Sequence, residues 1–231
     1  MTGRLAIFDI DGTLTDTNAV DDECFLEAIA GEFALELAGV DWSDAPHVTD
    51  ASIARWLVER HRGRAPDDAE IERLVHRFVE TLERELARTP DRFAPIAGAR
   101  DAFAMMRSDG WDIALATGGW RPSARLKLRA SGLDVPDMVL ACANDAVTRE
   151  EIVQLARDRA AAIRGHSYDR VVSIGDGVWD VRTAANLELP FIGIATGERE
   201  ARLRAAGASV VLSDFEDLIA FRSALVIATA P

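Results

Sequence analysis

The sequence predicts a doubly wound parallel α/β sheet with an all-helical segment inserted after its first strand. Three observations carry this. Short apolar runs that do not alternate recur along the chain, as strands covered on both faces require. Amphipathic helical patterns separate them, which points to parallel pairing. The stretch 17–92 breaks that rhythm and holds no strand pattern.

The strand-length runs are Leu5–Phe8, Ile113–Ala116, Met138–Cys142, Val171–Ile174, Phe191–Ala195 and Val210–Leu212. Ala99–Ser108 reads as a helix closed by Gly110, and Pro122–Ala130 as one closed by Gly132, since glycine suits a helix C-terminus. Thr148 followed by Glu151 is a capping-box signature opening a helix to about Arg164. Within 17–92, helical patterns cover Val20–Leu37 and Ala51–His61. A long amphipathic helix follows, marked by Ile71, Leu74, Val75, Phe78, Val79, Leu82 and Leu86. Pro66 fits its first turn. The expected division is a core of residues 1–16 and 93–231 and a helical unit of 17–92. Hinges are expected at Asp16–Asn18 and Phe93–Gly98.

The 231 residues are 48% apolar and 28% charged, the balance of a globular protein. A net charge of -13 argues against nucleic acid as a partner and weakly against an anionic membrane. An anionic substrate would have to be attracted locally, by a cation and a few basic groups. Cys24 and Cys142 read as separate buried thiols. No run approaches the length of a membrane span. The N-terminus enters a strand at once without a secretory leader pattern, which points to the cytoplasm. Monomer and homodimer both remain open.

Chemistry concentrates at Asp9-Ile10-Asp11-Gly12-Thr13, directly after the first apolar run. Side chains alternate along a strand, so the chain must turn for both acids to face one mouth, and Gly12 permits the turn. One carboxylate to attack phosphorus, a second to move protons and a hard cation to balance charge would suit phosphoryl transfer. An ordinary Asp-Gly turn is the bland alternative. Two further strand ends carry polar groups, Thr117-Gly118-Gly119 after Ile113–Ala116 and Gly175-Asp176 with Asp180 after Val171–Ile174. Strand carboxyl ends near a switch in strand order are where such sheets build sites.

These three stretches, in this order, resemble the motifs of the haloacid dehalogenase-like hydrolase superfamily, in its phosphoglycolate phosphatase-like branch with an inserted helical cap. The resemblance implies an Mg²⁺-dependent phosphatase for a small soluble phosphate monoester, with a Rossmann-like core. Asp9 would be the nucleophile and Asp11 the general acid and base. Thr117, Gly118 and Gly119 would bind the phosphoryl group. Asp9, the Asp11 backbone carbonyl, Asp176 and Asp180 would serve the metal. The family's remaining basic group is usually a lysine near the start of the helix before the last motif strand. Arg149 occupies that place and is assigned the catalytic and phosphate-binding role, ahead of Lys127. Lys127 is the one lysine in the chain and falls in what reads as an ordinary surface helix. A guanidinium can bridge nucleophile and phosphate but cannot carry protons.

The presence of Asp11 disfavours a dehalogenase. A cap without lysine disfavours a phosphonate hydrolase that forms a Schiff base. A phosphomutase, and a pseudo-hydrolase that binds without turnover, remain as alternatives. In the cap, residues 47–53 fall where capped members of the family carry a substrate-contacting loop, and Asp50 there reads rather as a helix N-cap. Trp120 suits either the leaving-group pocket or the core.

Overall fold

The computed structural model describes residues 3–37, 39, 45–134 and 138–229. Six strands, β1 (Gly3–Phe8), β2 (Trp111–Ala116), β3 (Val139–Ala141), β4 (Tyr168–Gly175), β5 (Phe191–Ile194) and β6 (Val210–Leu212), form one sheet in the order β3-β2-β1-β4-β5-β6. Every neighbouring pair is parallel. β1 is therefore central, with Phe8 in register with Leu115 on one side and Ile174 on the other. This brings the residues that follow β1, β2 and β4 to one end of the sheet.

Both faces of the sheet are covered, which explains the continuous apolar runs. Ala6 and Phe8 face a core shared with α4 (Ala99–Ser108) and α9 (Leu218–Ala228), where Phe8 meets Phe103 edge to face at 5.2 Å between ring centroids. Leu5 and Ile7 face the opposite layer, with Ile152, Val153 and Ala156 of α6 (Arg149–Arg164). The alternation is the two-residue period of a strand. The remaining core helices are α5 (Arg121–Ala130), α7 (Val178–Asn186) and α8 (Gly197–Ala205).

Between β1 and α4 lie α1 (Asn18–Phe33), α2 (Asp50–Arg62) and α3 (Asp68–Arg88), with a short 3-10 turn at Pro90–Phe93. The outgoing and returning segments run side by side. The Asp16 N–H donates to Ala94 O, and the Ile96 N–H to Leu14 O, both at 2.9 Å. The three helices share an apolar cluster that Trp120 and Leu126 of the core also enter. Trp120 packs against Phe25 at 5.8 Å and Phe78 at 6.1 Å, so it belongs to the seam between the inserted helices and the sheet domain.

Helix ends differ from expectation in three places. α1 stops at Phe33, short of Leu37, because Ala34 turns into the left-handed region at φ 52° with no glycine to announce it. Pro66 lies just outside α3, whose N-cap is Asp67, paired with Glu70 in a capping box. The cap of α2 is Thr49, whose hydroxyl accepts from the Ser52 N–H, and Asp50 is already the first helical residue.

Candidate active site

Asp9 leaves β1 with its N–H donating to Ile174 O at 2.9 Å. Gly12 then turns the chain at φ 75°, and a Cβ there would collide with Asn18 and Asp176, so only glycine serves. The turn sends the two acids to different partners. Asp9, Asp176 and Asp180 form one buried group whose ligand oxygens all lie within 4.8 Å of one another. The Asp11 carboxylate instead accepts from Thr17 Oγ1 at 2.5 Å and from Lys127 Nζ at 2.7 Å.

Asp176 directly follows β4 and accepts from Asn18 Nδ2 at 2.8 Å and Arg199 at 3.2 Å. Asp180 lies in the first turn of α7, where its Oδ2 accepts from the Gly177 N–H at 3.0 Å. A helix-capping role and membership of the acidic group are thus combined in one residue. Arg149 begins α6 and reaches over the sheet end. Its Nη1 is 2.7 Å from Asp180 and 3.4 Å from Asp9, its Nε donates to Val48 O at 2.9 Å, and it lies over the Trp179 ring at 5.6 Å. Its side chain is 14% exposed, so the residue is a largely buried cation at the acids and not an accessible helix start.

Lys127 departs most from expectation. It lies in no surface helix face: its side chain is fully buried, with Nζ bridging Asp11 at 2.7 Å and Asp21 of α1 at 2.5 Å. Its position mid-helix gave no sign of this, because both partners come from distant sequence. Burial works against its charge, but Asp11, Asp21 and Asp50 outweigh burial and raise its proton affinity above the ordinary lysine range. Thr117 is buried after β2, and its Oγ1 accepts the Gly119 N–H at 3.1 Å. The Gly119 amide is accordingly turned onto Thr117. Gly118 carries its carbonyl to the Asp50 N–H at 2.8 Å.

The acids are short of positive charge. Burial raises Asp9 well above the usual carboxylate range, Asp180 adds to this, and Arg149 opposes it. Burial and the neighbouring Asp180 push Asp176 up to about 7. Asp180 is also raised by burial, against the pull of Arg149. A buried all-oxygen set of three carboxylates, met only by the guanidinium of Arg149 and the half-exposed one of Arg199, fits a hard dication.

A cavity of about 340 Å³ opens from this group toward the inserted helices. Asp9, Thr117, Gly118 and Arg149 line its floor. Asp21, Asp22 and Asp50 of the inserted helices line the cavity as well, with Arg199 and Arg202 of α8. Burial lifts Asp22 to about 6 and Asp50 to about 7. Asp21 and Asp22 were not foreseen as site features, and Asp50, in a stretch weighed as a substrate loop, reads from the sequence as a helix cap. The Asp21-Asp22 pair in a helical pattern reads as solvated surface; the fold turns Asp21 toward Lys127, while Asp22 remains exposed at the cavity.

A family model described as haloacid dehalogenase-like hydrolase matches residues 4–188. The fold and this match place the chain in the haloacid dehalogenase-like hydrolase family, and it is a phosphoric monoester hydrolase. Among curated relatives, a phosphoglycolate phosphatase of Caulobacter vibrioides is 30% identical, over 94% of this chain and 90% of its own. A phosphoglycolate phosphatase of Agrobacterium fabrum is 28% identical, over 94% and 93%. Of solved structures, a hydrolase from Pseudomonas syringae superposes with a TM-score of 0.72 at 23% identity, covering 96% of this chain and 98% of that one. CbbY from Rhodobacter sphaeroides in complex with phosphate gives 0.64 at 23% identity, over 94% and 96%. At that identity the structures speak for the fold alone. Among the described residues, no helix is long and apolar enough to cross a membrane.

Proposed function

We propose that the enzyme hydrolyses a small phosphate monoester through a phosphorylated Asp9. The observation that carries this reading is the meeting of Asp9, Thr117, Arg149 and Asp176 at one cavity, with Asp11 on the same wall. An Asp9 oxygen bonds to phosphorus as the ester P–O bond breaks, and Asp11 gives its proton to the departing oxygen. Asp11 then takes a proton from a water that attacks phosphorus. The Asp9–phosphorus bond breaks, inorganic phosphate leaves and the carboxylate is restored. Thr117 donates to a phosphoryl oxygen, and Arg149 offsets the charge shared by nucleophile and phosphoryl group.

Magnesium fits the buried acidic set: Asp9, Asp176 and the Asp11 carbonyl would hold it, with Asp180 supporting them. When bound it supplies charge neutralisation for nucleophile and phosphoryl oxygens. Helices α1–α3 serve as a cap over the leaving group. Their wall bears Asp21, Asp22 and Asp50, while the Lys127 charge is already engaged. Arg199 and Arg202 of α8 line the same cavity, so the case for an uncharged, hydroxyl-bearing leaving group over a carboxylate such as glycolate rests on Asp22 and Asp50, since Asp21 is paired with Lys127.

Purified protein releasing phosphate from p-nitrophenyl phosphate, with Asp9→Asn inert but folded, is the expected result. Wild-type turnover by Asp9→Asn would overturn the reading.

A further inference from the structure

Asp11 is held at both of its carboxylate oxygens. Thr17 Oγ1 takes Oδ1 at 2.5 Å, and Lys127 Nζ takes Oδ2 at 2.7 Å. Thr17 alone would leave the carboxylate free to pivot about one contact, and the ammonium removes that freedom. Lys127 does not line the cavity, so it reaches the reacting atoms only through Asp11. It also grips Asp21 of α1 at 2.5 Å.

A lysine buried without any exposure is costly unless paired, and such residues are rare. Fastening α5 to α1 would need Asp21 alone. The second anion comes from the loop that carries the nucleophile, which a purely structural tie does not require. We propose that Lys127 is a positioning residue for Asp11, and that through Asp21 it makes the orientation of Asp11 depend on the placement of α1. This rests on the proton-transfer role proposed for Asp11. A proton donor must lie within hydrogen-bond reach of the departing oxygen, and small misplacements there are expensive.

The test compares two esters, phenyl phosphate and 2,4-dinitrophenyl phosphate, by kcat/KM, which reports the step that expels the leaving group. Dinitrophenolate leaves without a proton and phenolate benefits from one. General acid help is worth about 10²–10⁴-fold, so Lys127→Met should lower kcat/KM for phenyl phosphate by roughly tenfold or more. The dinitrophenyl ester should change by no more than about threefold, because it draws little on that help. In an Asp11→Asn background, adding Lys127→Met should bring no further leaving-group-dependent loss. If Lys127→Met does not fold, Lys127→Met/Asp21→Asn removes one carboxylate with the ammonium, and the same comparison applies. An equal loss on both esters, or an undiminished loss in the Asp11→Asn background, would overturn the role of Lys127. A folded wild type inert on both esters would overturn the phosphatase reading and this proposal with it.

Discussion

The Asp50 carboxylate accepts a hydrogen bond from the Trp120 backbone N–H at 2.8 Å, while the Asp50 N–H donates to Gly118 O at the same distance. The first turn of α2 is thereby clamped to the loop that follows Thr117. Burial is the main reason Asp50 titrates near 7, with Lys127 and the Trp120 N–H opposing it and Asp11 adding to it. An unfolded aspartate titrates near about 4. Folding therefore favours the protonated form, and this contribution is full below about pH 4 and lost as pH rises through about 7. Asp50→Asn keeps an acceptor for Trp120 and cannot ionise. Its melting temperature should exceed wild type at about pH 8 by several degrees and by less at about pH 5, given roughly 2–4 °C per kcal/mol at this size. A gap that does not widen with pH between those points would contradict the electrostatic account.

Arg149→Ala should lower kcat by about 10²-fold or more, as loss of a preorganised charge at a reacting centre does. It should also destabilise the metal-free protein, since Asp9 and Asp180 lose their nearest cation. Arg149→Lys should recover part of the activity. An ammonium can reach the acids, but it forfeits one of the two arms by which Arg149 also grips Val48 O. Steady-state kinetics with thermal melts of the three proteins checks this, and equal activity in all three would refute it.

Removal of divalent cations should abolish phosphate release, with Mg²⁺ restoring it and Ca²⁺ doing so poorly, because Ca²⁺ relaxes octahedral geometry. Mg²⁺ should also raise the melting temperature by binding the folded state alone. That rise should vanish in Asp176→Asn. Calorimetric scans with and without Mg²⁺ read this independently of turnover.

A panel of phosphate monoesters should favour neutral polyol phosphates over 2-phosphoglycolate in kcat/KM. Above about pH 7, where Asp22 and Asp50 are ionised, a carboxylate on the cap side of the leaving group would meet them while Lys127 stays paired with Asp21, and like charges 4 Å apart cost about 4 kcal/mol at an effective dielectric of about 20. Replacing Asp22 by Asn should narrow the preference. A wild type that prefers 2-phosphoglycolate would show that the wall does not govern selection.

The sheet was legible because its strands are built on apolar runs, and the meeting of Asp9, Thr117 and Asp176 at one end of it was legible because each follows such a run. The approach of Arg149 to Asp9 and Asp180 was legible from its place at the opening of α6, though its burial was not, since Trp179 and Val48 cover it from distant segments. Asp50 was misread as a cap because Thr49 beside it is an equally good one. The choice was settled by the Trp120 N–H, a tertiary partner. Lys127 was the larger miss. Its helix has the composition of a solvated face, and only the packing of α3 on α5, with Asp21 of α1 reaching Lys127, turns that face inward.

The seclusion of Lys127 has an experimental use. Apart from the α-amino group, this chain offers an acylating reagent one primary amine, and that amine is protonated, fully buried and bound to Asp21 of α1. The pace at which it acquires a single mass increment is then a chemical clock for the parting of α1 from α5. It needs no engineered label, and any ligand that draws the two helices together should slow it.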